Sequence, residues 1–239
     1  MRKESAGALI SLSLFAAAII SIALIDGAVV AFYAEDLGVG LSEAASAALP
    51  ALIVANGFTF AALTAAGGTA VFKGEAKRRL GLVSREPLSD VRAGLLYGAV
   101  GWLAASLLVV SLNYFFPVEA PKELVKAFTP RGLKELSILV ALTWAFVGPC
   151  EEVFFRGLIQ TSLSDWRGPA AGILGGALLF GLAHFDPRFW VRGVSTFVLG
   201  AFYGWIFHRR GSVLPVAVAH SLNDSISFIL AFALRWLAA

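Results

Sequence analysis

The sequence predicts an all-α polytopic membrane protein, a bundle of about seven transmembrane helices, and three observations carry that prediction. Hydrophobic residues make up 58% of the 239 and charged residues only 15%, against roughly 25% charged in a soluble domain. Stretches without Lys, Arg, Asp or Glu recur at the length of about 20 residues that crosses a bilayer core in helix. The single cysteine, Cys150, allows no intrachain disulfide and no cysteine cage for zinc. The same numbers exclude other classes. A disordered chain needs low hydrophobicity, and a net charge of +3 on so apolar a chain gives no basic face for nucleic acid.

The first span is expected from about Ala6 to Ala34, with Asp26 near its outer end as an interfacial or helix-end residue. Arg2 and Lys3 ahead of it resemble a signal peptide, but the apolar run exceeds the roughly 7 to 15 residues of a cleavable core, so it is read as a retained helix. The second span runs from Ala44 to Phe72 and the third from Ala93 to Pro117. The fourth runs from Leu136 to Cys150, with an apolar continuation past Glu152. The fifth covers Gly168 to Phe185, the sixth Gly193 to Phe207 and the seventh Gly211 to Leu234; a break at Asn223 and Asp224 would make an eighth. Residues 1–135 are read as an N-terminal three-helix region with a basic loop at 73–92. Residues 136–239 are read as the catalytic membrane core. The pairs Gly94 with Gly98 and Gly200 with Gly204 suit close helix packing.

Short loops rich in Lys and Arg stay in the cytoplasm. With the N-terminus inside a cell membrane, the inner set is Arg2, Lys3, Lys73, Lys77, Arg78, Arg79, Arg85, Arg92, Arg167, Arg209 and Arg210. The outer set is Lys122, Lys126, Arg131, Lys134, Arg188, Arg192 and Arg235. Eleven against seven favours a cytoplasmic N-terminus. Anionic lipid headgroups, not a polyanionic partner, then account for the basic loops. Trp166, Trp190, Trp205 and Trp236 fall near expected helix ends, as interfacial aromatics should.

Ionisable groups inside a membrane are costly and mark functional sites. Here Glu151, Glu152 and Arg156 lie on the fourth span, His184 on the fifth, and His220 with Asp224 on the seventh. Residues four apart share a helix face, so Glu152 pairs with Arg156 while Glu151, turned about 100° away, is left free. His220 and Asp224 share a face with Asn223 beside them, and Phe180 lies one turn before His184. Counting helix rise from the inner ends puts Glu151 and His220 roughly 14 Å deep, and His184 and Asp224 roughly 20 to 22 Å, so the groups can meet. The expected meeting place is a cavity in the middle to cytoplasmic half of the bilayer.

A carboxylate without a cation beside it, sheltered from bulk water, is a candidate general base, and hydrolysis is the natural chemistry. Glu151 takes a proton from water and His184 orients that water. His220, with Asn223 or Asp224, stabilises the oxyanion, and Glu152 with Arg156 holds the helix and the local charge. No cofactor or metal is called for. Two competing readings come from the same residues. Two His and one Glu are also a catalytic zinc ligand set, although no HExxH is present. Intramembrane charges also mark transporters or immunity proteins that act by binding, although the paired half-chains of inverted repeats are missing.

EEVFFR from Glu151 to Arg156, FGLAH from Phe180 to His184 and HSLND from His220 to Asp224 resemble the EExxxR, FxxxH and Hxxx(N/D) motifs of the CAAX protease and bacteriocin-processing family of glutamate intramembrane proteases. The resemblance covers about Leu136 to Leu234. It implies a membrane-embedded endopeptidase without a covalent intermediate, acting on a membrane-anchored or lipidated protein or peptide. It implies water activation by Glu151 and His184, and an oxyanion site at His220 and position 224. The prenyl-protein proteases carry Asn where this chain has Asp224. Asp224 is then either protonated in the site, or yields the oxyanion to Asn223, or orients His220.

Overall fold

The computed structural model describes residues 3–235, so the sequence expectations for Arg2 and Trp236 lie outside the described residues. Helix α1 (Lys3–Leu37) and helix α2 (Leu41–Phe72) form an antiparallel pair; a 3₁₀ turn (Lys73–Glu75) and the short α3 (Ala76–Arg79) follow. Helix α4 (Pro87–Phe115) leads through the short α5 (Lys122–Phe128) into the long helix 133–167. That helix is composite: α6 (Leu133–Leu142), a π segment (Thr143–Val147), α7 (Gly148–Glu152), a second π segment (Val153–Gln160) and α8 (Thr161–Arg167). Helix α9 (Pro169–Ala183), a 3₁₀ turn (Pro187–Phe189), α10 (Trp190–Arg210) and α11 (Leu214–Leu234) complete the described chain.

Each of the seven expected apolar segments is helical. Five helices (Lys3–Leu37, Leu41–Arg79, Pro87–Phe115, Leu133–Arg167 and Leu214–Leu234) are long and apolar enough to cross a membrane singly. The sixth candidate is the pair Pro169–Ala183 and Pro187–Arg210, bent by 104° and passing only as a pair. The break that would make an eighth segment is not there, because α11 runs unbroken through Asn223 and Asp224. Asp26 differs from its expected place at a helix end. Helix α1 continues three residues past Ala34, and Asp26 turns inward to accept a 3.4 Å hydrogen bond from Asn56 Nδ2 of α2.

The composite helix is the centre of the bundle, touching α1, α2, α9 and α11, while α4 packs along α11 and α9 along α10. Its first wide turn has a covalent cause. Pro149 has no N–H for the carbonyl four residues back, and its ring crowds that carbonyl, so the turn before it opens. The second is supported by Thr161, whose hydroxyl donates 3.1 Å to the carbonyl of Arg156, five residues back. Gly168, at φ +88°, makes the reversal between α8 and α9 that a residue with a Cβ would resist.

Contacts between loops define two ends. At one end Arg79 pairs with Asp165, Val213 donates a 3.0 Å backbone hydrogen bond to Gly81, and Arg210 approaches Asp90 at 3.6 Å. Lys3 begins α1 at this same end, hereafter the α3 end. At the other, Ser46 donates to the Lys126 carbonyl, Phe116 meets Trp190, and the Arg192 guanidinium lies over the Phe128 ring. This is the α5 end.

Gly148 lets α7 touch α11. A Cβ there would stand 2.2 Å from Ser221 Oγ and 2.7 Å from the Ala217 carbonyl, so the helices would have to separate. Gly148→Ala is expected to destabilise the protein by about 1 to 3 kcal/mol, the usual cost of overpacking. Thermal unfolding in detergent checks this, with Gly74→Ala, whose Cβ would enter open space, as the control.

Candidate functional site

The three helices that bear the motifs meet around Glu152 and Phe180. His220 Nδ1 of α11 stands 2.8 Å from Glu152 Oε1, and on the other side of the same carboxylate Oε2 stands 3.0 Å from Arg156 Nε. The Glu152–Arg156 pair has the distance of an ion pair without the alignment of a hydrogen bond, for neither Oε2 nor Nε has a hydrogen-bond partner. Both side chains are 1% exposed or less. The guanidinium is instead enclosed by rings, with its Cζ 4.5 Å from the Phe180 centroid, 5.8 Å from that of Tyr203 and 6.0 Å from that of Phe155. Ring faces attract a cation, and here they replace the water that a buried guanidinium loses.

Phe180 is the hub of this arrangement. Besides covering Arg156, its ring lies 4.7 Å from the His184 ring and 5.7 Å from that of His220. Its carbonyl lies 2.9 Å from His184 Nδ1, so that nitrogen carries the proton and donates it, which leaves Nε2 of His184 with a free lone pair. His220 Nε2 lies 3.5 Å from Asp224 Oδ2, longer than an ordinary hydrogen bond. Among the described residues Glu151 makes no ion pair, and its Oε2 is buried without a hydrogen-bond partner. The sequence expectation that Glu152 pairs with Arg156 while Glu151 stays free describes this geometry. Asn223 lies beside the Tyr203 hydroxyl, and both its amide nitrogen and that hydroxyl are buried without an aligned partner.

Exposure is graded in the same direction on all three helices. Arg156 and Glu152 are fully buried, and Glu151, one step nearer the α5 end, is half-buried. Phe180 is buried and His184 is partly exposed; His220 is buried and Asp224 is 30% exposed. Towards the α3 end the bundle is filled by Phe154, Phe155, Leu158, Ile159 and Leu80. The exposed edge of the cluster therefore faces the α5 end. The sequence expectation joined a cytoplasmic N-terminus to a cavity open to the cytoplasm. In this fold α1 begins at the α3 end, opposite the exposed edge of the cluster. Counting helix rise finds the depth of a residue but not which neighbours fill the space above or below it.

Concavities of about 540 Å³, between α1, α8 and the turn after α2, and about 390 Å³, between α4 and Arg210, lie at the α3 end and touch no residue of this cluster. Among the described residues no three His, Cys, Asp or Glu side chains are grouped so as to hold a metal ion. Three participants escaped the sequence reading. The bond from Glu152 to His220 joins residues 68 apart, and no local pattern signals it. Tyr203, 0% exposed, lies with its ring tilted 6.0 Å from that of His220, without any charge to mark it. Arg192 was counted as a loop cation, although it stands in the first turn of α10.

Comparison with known proteins finds one family. Residues 134–226 match the model described as type II CAAX prenyl endopeptidase Rce1-like. No curated protein and no solved structure matches the chain. The matched stretch holds Glu151, Glu152, Arg156, Phe180, His184, His220, Asn223 and Asp224, the whole of the buried cluster and its exposed edge, and over this stretch the chain is similar to the Rce1-like type II CAAX prenyl endopeptidases.

Proposed function

We propose that this protein is an intramembrane endopeptidase that hydrolyses a peptide bond near the end of a membrane-associated, CAAX-type prenylated protein or peptide. The observation that carries the reading is the Glu151 carboxylate, half-buried in an apolar bundle with one oxygen unpartnered, next in the chain to the Glu152 that holds His220, in a cluster whose two histidines have their Nδ1 atoms already committed.

A water held between Glu151 and His184 Nε2 loses a proton to Glu151 as its oxygen attacks the carbonyl carbon. The carbonyl π pair moves onto oxygen, and the Nε2–H of a doubly protonated His220, whose Nδ1–H is held by Glu152, donates to that charge. Collapse of the tetrahedral intermediate breaks the C–N bond, and the proton on Glu151 passes to the departing amine. Glu152 fixes the His220 ring from the Nδ1 side, and Arg156 offsets the charge of Glu152. Asp224, 3.5 Å from Nε2, orients the ring from the other side. Of the three roles open to Asp224, this is the one its contact supports, and Asn223, turned to Tyr203, serves the packing of α10 on α11.

The test is purified protein in detergent or vesicles, given prenylated and unprenylated membrane peptides, with cleavage sites mapped by mass spectrometry. The expected result is cleavage of prenylated CAAX peptides that persists in a strong chelator. Loss of all cleavage on chelation would move the mechanism to a metal. No cleavage of any peptide would return the chain to a binding or transport role.

Read with the basic α3 end in the cytoplasm, the site has its exposed edge on the opposite face. In a Cys150→Ala background, a membrane-impermeant thiol reagent added to intact cells is expected to label Gly132→Cys and spare Gly74→Cys, both of which stand in open space. The reverse pattern would turn the site towards the cytoplasm.

A further inference from the structure

Among the cations at the α5 end, Arg192 stands apart. Arg188 is bound to Asp186 by hydrogen bonds of 2.9 and 3.2 Å, and that pairing holds the Asp186 carboxyl below its ordinary range. Arg131 is bound to Glu135 at 3.0 Å. Arg192 is half-buried and has no carboxylate within ion-pair distance among the described residues; its guanidinium lies 5.4 Å over the ring of Phe128. A sheltered guanidinium resting on an aromatic face keeps its five N–H donors in one plane, open at the edge to an incoming anion.

Its position relative to the reacting groups follows from the packing. Phe128 stacks on Phe228, 6.5 Å away, and Phe228 lies one turn beyond Asp224 on α11. Gly193, next in the chain, approaches the Gly181 carbonyl and the Phe185 ring, which brings the start of α10 against the end of α9 that holds His184. Arg192 is within electrostatic reach of Asp224, Glu151 and His184. It thus stands on the exposed, α5-end side of the proposed reacting carboxylate.

We propose that Arg192 binds the C-terminal carboxylate of the substrate, so that the protein measures the distance from chain end to scissile bond. This rests on the endopeptidase reading above. A cation held on the exposed side of Glu151 anchors the chain end, so the length of chain between the two fixes which bond meets the water. The Asp224 and Glu151 carboxylates around the site would repel a free chain terminus, and Arg192 supplies the opposite charge at the mouth. Phe128 keeps the guanidinium in place without consuming its donors.

The experiment compares matched prenylated peptides ending in a free acid or in a carboxamide. Wild type is expected to prefer the acid by about 10- to 100-fold in kcat/KM, the worth of one charge-assisted contact, with the difference in KM. In Arg192→Gln the preference is expected to collapse to near unity; Arg192→Lys restores part of it, and Arg188→Gln leaves it as in wild type. A wild-type enzyme indifferent to amidation, or an Arg192→Gln variant that loses both substrates equally and keeps their ratio, overturns the proposal. Binding of the same two peptides to Glu151→Gln protein, measured without turnover, separates the two readings. Acid-selective binding that depends on Arg192, with no cleavage by wild type, would sink the endopeptidase and keep the carboxylate site, whereas cleavage with no acid selectivity would do the reverse.

Discussion

Glu151→Gln is expected to lower kcat by about a thousandfold or more, within the range that a general base contributes, while the folded protein melts at or slightly above the wild-type temperature. The amide keeps the shape and removes the group that takes the proton. It also replaces a carboxylate whose Oε2 is buried without a partner, so folding loses no contact. Cleavage of a prenylated peptide and a detergent melting curve check the two halves of this statement. Retained cleavage would end the assignment of Glu151 as the base, and a collapsed melting curve would make it a structural residue.

Glu152→Ala is expected to have the opposite profile, with the fold itself damaged by about 3 to 5 kcal/mol, because Arg156 is left as an uncompensated charge and His220 loses its 2.8 Å partner. The double variant Glu152→Leu with Arg156→Met removes both charges for side chains of similar volume, so much of the stability should return. Activity should not return, since nothing then holds His220 Nδ1. If the double variant is as unstable as the single one, the ion pair is not the source of the loss. If it is active, Glu152 does not orient His220. Adjacent glutamates in one sequence motif thus separate into one whose loss is chemical and one whose loss is structural.

That separation was legible before any tertiary structure, because four residues make a helical turn and Arg156 stands one turn after Glu152. The π segment between them widens the turn without undoing the pair. The convergence of the three motifs at similar heights was legible for the same reason, as helix rise is nearly constant. The continuity of α11 was not, since an Asn–Asp pair is compatible with a break as well as with a site. Asp26 was misplaced because composition shows where a polar residue falls along a span but not that Asn56 on the next helix faces it.

What the sequence by itself determined is therefore what depends on local periodicity and on the cost of charge in lipid: an all-helical membrane fold, its helical segments, and a set of polar residues on three of them. The tertiary structure alone decided which of those residues touch. It joined Glu152 to His220 across 68 positions, set Phe180 between the two histidines and Arg156, and closed the bundle on the α3 side. The physical reason is that neighbours in a packed bundle are chosen by the fit of side chains from different helices, through glycines such as Gly148 and ring faces such as that of Phe180. Such fits leave no period in any one helix from which they could be read.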